Sequence, residues 1–236
     1  PGMIRLTLSA DRIASLADGL HVKVMRHSLD YLGAPEWPRV ADNGVTVWPK
    51  GESKLQVRYY TLRNVRVDQH EVDIDVVQHP GGMIADWAER ASLGDRIGVM
   101  GPAGEPSLPN EDGPVLLAGD ETALPAIARI LEANRGALKG TVIIAFPQQA
   151  NPRLYLPDTT MDVISVPREQ FNARCVETLR GCITSELSFT YAWFGGEAKT
   201  ANNVRQFFKS DLRLGKGHQL SVGYWQKGII GAADQH

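Results

Sequence analysis

Arg58-Tyr59-Tyr60-Thr61-Leu62-Arg63 is the stretch on which the reading of this chain turns. Side chains on a strand alternate between faces, so Arg58, Tyr60 and Leu62 share one face while Thr61 and Arg63 share the other. Such a strand supplies an aromatic surface for a flat tricyclic ring, a hydroxyl for its polar edge, and guanidinium groups for phosphate. Arginine suits the last task because its planar fork meets phosphate oxygens in pairs. An ordinary amphipathic strand with tyrosine in the core reads the same way, since strands favour aromatic and β-branched residues. The neighbouring segments bear on the choice.

Downstream, Glu71-Val72-Asp73-Ile74-Asp75-Val76-Val77 alternates polar and apolar residues like a half-buried strand. It runs into His79-Pro80-Gly81-Gly82-Met83-Ile84-Ala85-Asp86-Trp87-Ala88, with a helix expected over 84–90. Paired glycines let a backbone approach a ligand, and the first N–H groups of a helix are unpaired and partly positive. That arrangement suits a pyrophosphate. A plain Gly-Gly turn is the simpler alternative.

Across the first hundred residues, short runs at 4–8, 21–25, 45–48, 56–62, 71–77 and 96–100 are separated by Gly, Pro and Asp. About six strands at this spacing indicate a small antiparallel β-barrel. Residues 102–114 are rich in Pro, Gly and acidic side chains and read as a linker. Beyond it the period changes. Apolar strands at 115–118, 141–146, 162–166, 191–194 and 219–223 alternate with helical patterns at 123–134, 168–179 and 198–209. This is the signature of an α/β doubly wound parallel sheet. The expected division is therefore a β-barrel domain at 1–110 and an α/β domain at 111–236.

In the second half, Leu117-Ala118-Gly119-Asp120-Glu121-Thr122-Ala123-Leu124-Pro125-Ala126 ends a strand and starts a helix. Thr122 is expected to cap that helix, placing Pro125 in its first turn, where a missing N–H costs little. Ligands of open α/β sheets lie outside the carboxyl ends of the strands, so this loop can receive one. Asp120 and Glu121 make it acidic and unsuited to pyrophosphate, and the chain has no GxGxxG here. Gly195-Gly196-Glu197 ends another strand and would form the opposite wall, although simple strand-to-helix punctuation explains both loops equally well.

Composition excludes some classes. The chain has 236 residues, 43% hydrophobic and 22% charged, ordinary for a globular protein. With 25 Lys+Arg against 27 Asp+Glu there is no basic excess for nucleic acid. No apolar run has the length of a membrane span, and the start does not resemble a signal peptide. Cys175 and Cys182 fit neither a CxxC pair nor a metal knuckle and read as reduced thiols in a cytoplasmic protein. The six histidines show no ligand spacing, so no protein-bound metal is expected.

Taken in order, Arg58–Arg63, His79–Ala88, Gly94-Asp95-Arg96 leading to Gly101-Pro102-Ala103-Gly104, the Gly119–Ala126 loop, Trp193-Phe194-Gly195-Gly196-Glu197-Ala198 and Gly223-Tyr224-Trp225-Gln226-Lys227-Gly228 resemble the siderophore-interacting proteins. These are FAD-dependent ferric-siderophore reductases of the ferredoxin–NADP reductase superfamily. The resemblance spans nearly the whole chain and implies an FAD-binding barrel followed by an NAD(P)H-binding domain. It places FAD against Arg58, Tyr60, Thr61, Arg63, Val77, His79, Gly81, Gly82, Met83, Ile84, Ala85 and Trp87. NADPH or NADH would meet Gly119, Asp120, Glu121, Thr122, Ala123, Gly196 and Glu197, and a ferric siderophore would meet Trp225 and Lys227, with Lys216 near in sequence. A monomer is expected. Because the chain opens at Pro1-Gly2-Met3, inside the family's first barrel segment, the resemblance also implies an upstream strand. Ala103 and Glu105 stand where relatives often carry Arg and Ser, Met83 where Pro is common, and Gln226 where Arg is frequent.

The chemistry fits the side chains. A nicotinamide gives two electrons as hydride and ferric iron takes one, and a flavin mediates between them. No general acid or base is needed, and no Ser-His-Asp or paired-carboxylate arrangement is seen. A general flavin or ferredoxin-type reductase, or a non-catalytic flavin- or siderophore-binding protein, are the alternatives these residues leave.

Overall fold

A computed structural model describes residues 2–79, 81–103, 113–134, 137–147, 151–183 and 188–228. These form two compact units that divide within the segment 104–112, where Glu105 and most of the expected linker lie outside the described residues.

The first unit contains β1 (Met3–Ser9), β2 (His21–His27), the short pair β3 (Arg39–Val40) and β4 (Thr46–Val47), then β5 (Leu55–Arg66), β6 (Glu71–Val77), α1 (Met83–Ala88) and β7 (Gly98–Ala103). Five of the strands make an antiparallel sheet in the order β1-β6-β5-β2-β7. Its edges, β1 and β7, do not pair with each other among the described residues, so the expected barrel is an open, barrel-like sheet. The run expected as a strand at 45–48 is no member of it. β4 instead pairs with β3 in a separate ribbon whose Val40 and Val47 are exposed, so no apolar face ties it to the core. The core gathers Ile13, Leu16, Val22, Val24, Leu62, Val72, Ile74, Val76, Ile84 and Ala85, with Tyr60 packed at its margin.

β6 departs from simple alternation. Its apolar residues enter this core, yet Asp73 and Asp75 on the other face are buried as well. Asp75 accepts from Arg5 at 2.8 and 2.9 Å and from Arg63 at 3.2 Å. Asp73 accepts from both terminal nitrogens of Arg66, from Asn64 and from Thr7, all within 2.9 Å. Hydrogen bonds from Arg66 first, then from Asn64 and Thr7, hold the Asp73 carboxyl well below the usual range against the cost of burial. Paired in this way, carboxylates tolerate a position that alternation assigns to solvent. A bulge between Leu62 and Val65 makes the arrangement possible, because it inserts an extra residue opposite β6 and aims Arg63 and Asn64 at the two aspartates.

The second unit holds β8 (Val115–Gly119), α2 (Leu124–Ala133), β9 (Gly140–Phe146), β10 (Asp162–Pro167), α3 (Arg168–Cys182), β11 (Tyr191–Glu197), α4 (Ala198–Ser210) and β12 (Gln219–Trp225). All its strand pairs are parallel, in the order β10-β9-β8-β11-β12. α3 and α4 cover one face through Phe171, Cys175, Leu179, Val204, Phe207 and Phe208, packed on Leu116, Ala118, Ile143 and Phe194. α2 buries seven residues, Leu124 to Ala128 with Ile130 and Leu131. A five-residue strand buried throughout, such as β8, is what coverage of both faces requires. Cys175 and Cys182 are free thiols, and burial raises both, Cys175 strongly.

Candidate functional site

In the first unit, pairing fixes where the signature strand points. Residues directly opposite in an antiparallel ladder share a face. Tyr60 lies opposite Val22 and Arg58 opposite Val24, and both valines are fully buried. Arg58 and Tyr60 therefore stand on the core side, half-buried at its margin. Burial pushes the Tyr60 hydroxyl far up, with the charge of Arg58 pulling the other way. Arg58 donates to its neighbour's carbonyl, Val57 O, and has no carboxylate partner among the described residues. Thr61 is buried and stands on the other face, across from His21, whose imidazole burial lowers to about 4. Arg63 is committed to Asp75. Tyr59, exposed, carries Lys23 over its ring at 5.5 Å.

The Gly81-Gly82 turn and α1 follow β6 as expected, with the helix at Met83–Ala88. Gly81 has φ of 76°, open to glycine at little cost. At Gly82 a β-carbon would fall 2.3 Å from the His79 ring, so that imidazole lies against bare backbone. His79 is exposed, Val77 and Met83 are half-buried, and Ile84, Ala85 and Trp87 are buried. Pro80 lies outside the described residues.

In the second unit, the chain leaves β8 toward β9 and β10 on one side and returns to β11 and β12 on the other. The carboxyl ends of β8 and β11 thus form a topological switch point, the place where α/β sheets receive ligands. Glycines let the two ends close up: a β-carbon on Gly119 would fall 2.3 Å from the Gly195 carbonyl, and one on Gly196 would fall 2.9 Å from the Asp120 carboxylate. Asp120 accepts from the Thr122 N–H at 2.9 Å, from the Thr122 hydroxyl, and from the Trp225 indole N–H at 2.8 Å. Burial raises the Asp120 carboxyl, opposed by these bonds. The Tyr224 hydroxyl is raised by burial and then by Asp120.

Thr122 does not cap α2. Its hydroxyl is spent on Asp120, and the helix begins one residue later than expected, capped by Ala123 without a side-chain bond and with Pro125 in its first turn. Glu121 is buried and ion-paired with Arg168, the first residue of α3. Glu197 caps α4 through the Thr200 N–H at 2.7 Å. Burial raises Glu197, but the backbone N–H groups of Thr200, Lys199 and Lys227 outweigh it and the net shift is down. Trp225 is half-buried and Lys227 exposed. The fold thus brings Gly119, Asp120, Thr122, Gly196 and Trp225 together. The sequence groups Trp225 with the chelate and not with this loop, since 105 residues separate it from Asp120 and no spacing rule joins them.

An antiparallel sheet bearing this strand, followed by a parallel sheet with a glycine-lined switch point, defines the two-domain ferredoxin-reductase-like class. Two profiles narrow it: one described as the siderophore-interacting FAD-binding domain matches residues 1–106, and one described as siderophore-interacting protein matches 113–228. The chain belongs to the siderophore-interacting protein family. It is 27% identical to ferric vibriobactin reductase ViuB of Vibrio cholerae over 96% of this chain and 84% of that one. With the NADPH-dependent ferric-chelate reductase of Escherichia coli it shares 27% identity over 80% of this chain and 72% of that one. The crystal structure of a siderophore utilization protein from T. fusca superposes with a TM-score of 0.81 at 26% identity, covering 99% and 90% of the two chains.

Proposed function

We propose that this protein is an FAD-dependent reductase of ferric siderophores that takes electrons from NADPH or NADH and releases iron as Fe(II). The observation that carries this reading is the match of both units to siderophore-interacting profiles. Two of its relatives bear the names of ferric reductases.

The first unit's residues fit the cofactor. Arg58 is a guanidinium with no carboxylate partner among the described residues, Tyr60 is half-buried, and Gly81 is exposed with a φ of 76°. FAD, when bound, supplies the exchange between a two-electron donor and a one-electron acceptor. Arg58 and the turn at Gly81 and Gly82 would hold its diphosphate, and Tyr60 and Thr61 its ring system. Val77, His79, Met83, Ile84, Ala85 and Trp87 would complete the wall. Arg63 supports this surface through Asp75 and so acts at one remove.

In the second unit, Gly119 to Ala123 and Gly196 would receive the nicotinamide end of the donor. Asp120 braces that loop through Thr122 and Trp225, and Glu197 sets the start of α4 beside it. Trp225 and Lys227 would meet the chelate, the lysine favouring an anionic one. In this reading the protein works as a monomer in the cytoplasm on a small chelate rather than a nucleic acid. The test is turnover of FAD-loaded protein on a ferric siderophore with NADPH and NADH, trapping Fe(II) with a ferrous-specific dye. Rapid dye formation supports the reading. Turnover confined to cytochrome or ferredoxin acceptors would reassign the protein as a general reductase.

A further inference from the structure

Arg26 was not among the residues singled out by sequence, yet it shares the core-side face with the signature strand. It stands opposite Gln56 on β5, while Arg58 stands opposite Val24, so the two arginines are diagonal neighbours across the β2–β5 ladder. Diagonal pairs of this kind are about 7–8 Å apart, within reach of long side chains. The Arg26 guanidinium lies over the Trp87 ring, 5.2 Å from its centroid. Trp87 is only 5% exposed, and its indole N–H, like the Nε–H of Arg26, is buried without a hydrogen-bond partner among the described residues.

Two buried unpaired donors side by side are unusual, because each loses its hydration without compensation. Their charge and chemistry call for an oxygen acceptor, best an anionic one. The carboxylate whose charge acts on Arg26 is Asp95, in the exposed segment before β7, and it leaves both donors without a bond.

We propose that Arg26 and Trp87 form a second oxyanion cradle in the first unit, which takes a phosphate oxygen of the FAD diphosphate alongside Arg58. This rests on the flavin reading above and adds to it a binding residue one ladder step beyond Arg58. The cradle discriminates between flavins: FAD engages it, and riboflavin, which lacks phosphate, does not.

The experiment titrates apoprotein with FAD and with riboflavin, following flavin fluorescence, for the wild type, Arg26→Gln and Trp87→Phe. Loss of a charged hydrogen bond weakens binding by roughly 10- to 100-fold. FAD binding by Arg26→Gln should fall by that factor and by Trp87→Phe by less, with riboflavin binding unchanged in Arg26→Gln. Trp87→Phe keeps an aromatic ring under the guanidinium and so guards against a folding defect in the arginine variant, with circular dichroism as the check on both. FAD affinity equal to wild type in both variants overturns the cradle while leaving the flavin reading intact. Equal loss for FAD and riboflavin also overturns it, assigning the pair a structural role. Wild-type protein that binds neither flavin would instead bring down the flavin reading itself.

Discussion

Replacing Gly119 by alanine tests whether the switch point is built as described. The added methyl would fall 2.3 Å from the Gly195 carbonyl oxygen and 2.5 Å from the Ala123 β-carbon. Ordinary van der Waals separation is about 3.5–4 Å, so the ends of β8 and β11 must part by roughly an ångström. One obstacle is backbone and the other a short side chain, so neither can rotate aside. Overpacking of this sort costs about 1–3 kcal/mol. The strands carry this displacement to Asp120 and Gly196, so the half-saturating dinucleotide concentration should rise several-fold along with the loss of stability. Gly181, in the last turn of α3, is the matched control, since a β-carbon there meets nothing within 4 Å. Gly181→Ala should stabilise by about 0.5–1 kcal/mol through helix propensity alone. The assay pairs urea denaturation with steady-state titration of NADPH. If Gly119→Ala matches wild type in both while Gly181→Ala behaves as stated, the close approach of β8 and β11 is wrong.

Three other outcomes follow from the geometry. Trp225→Phe removes the indole donor to Asp120 and should destabilise the protein by about 1.5–3 kcal/mol in urea denaturation, the usual range for a bond to a charged group; unchanged stability would show that bond to be idle. Gly81→Ala forces a side chain into φ of 76° at about 1–2 kcal/mol, and it should lower FAD retention on gel filtration; full retention would remove the turn from the cofactor site. Asp73 has a folded pKa below its unfolded value near 3.9, so its contribution is present above about pH 4 and lost as pH falls further. Asp73→Asn should therefore flatten the acid limb of stability measured against pH, and an acid limb as steep as wild type would rule out the network's role.

Periodicity made most of the second unit readable. β9 and β10 are apolar runs bounded by turns, and α4 places Ala201, Val204, Phe207 and Phe208 on one face at helical spacing. The first unit was harder because side-chain pairing overrides alternation there. Asp73 and Asp75 read as solvent-facing, yet three arginines allow them to be buried. A bulge after Leu62 shifts the phase of β5, which period-two reasoning cannot anticipate. Residues 45–48 have the composition of a strand but no neighbour in the sheet. At the candidate site, glycine spacing pointed to Gly119 and Gly195–Gly196, whereas Trp225 on Asp120, Arg168 on Glu121 and Arg26 on Trp87 are long-range contacts without any local signature. Thr122 illustrates the same limit on a small scale, because Asp120 outcompetes the helix end for its hydroxyl.

The most direct measurement is an anaerobic mixing experiment on protein loaded with FAD. Addition of NADPH should bleach the visible flavin band within seconds, and a ferric siderophore added next should restore it as ferrous iron forms. A band that persists with both NADPH and NADH, or a bleached band that no ferric chelate restores, would contradict the account.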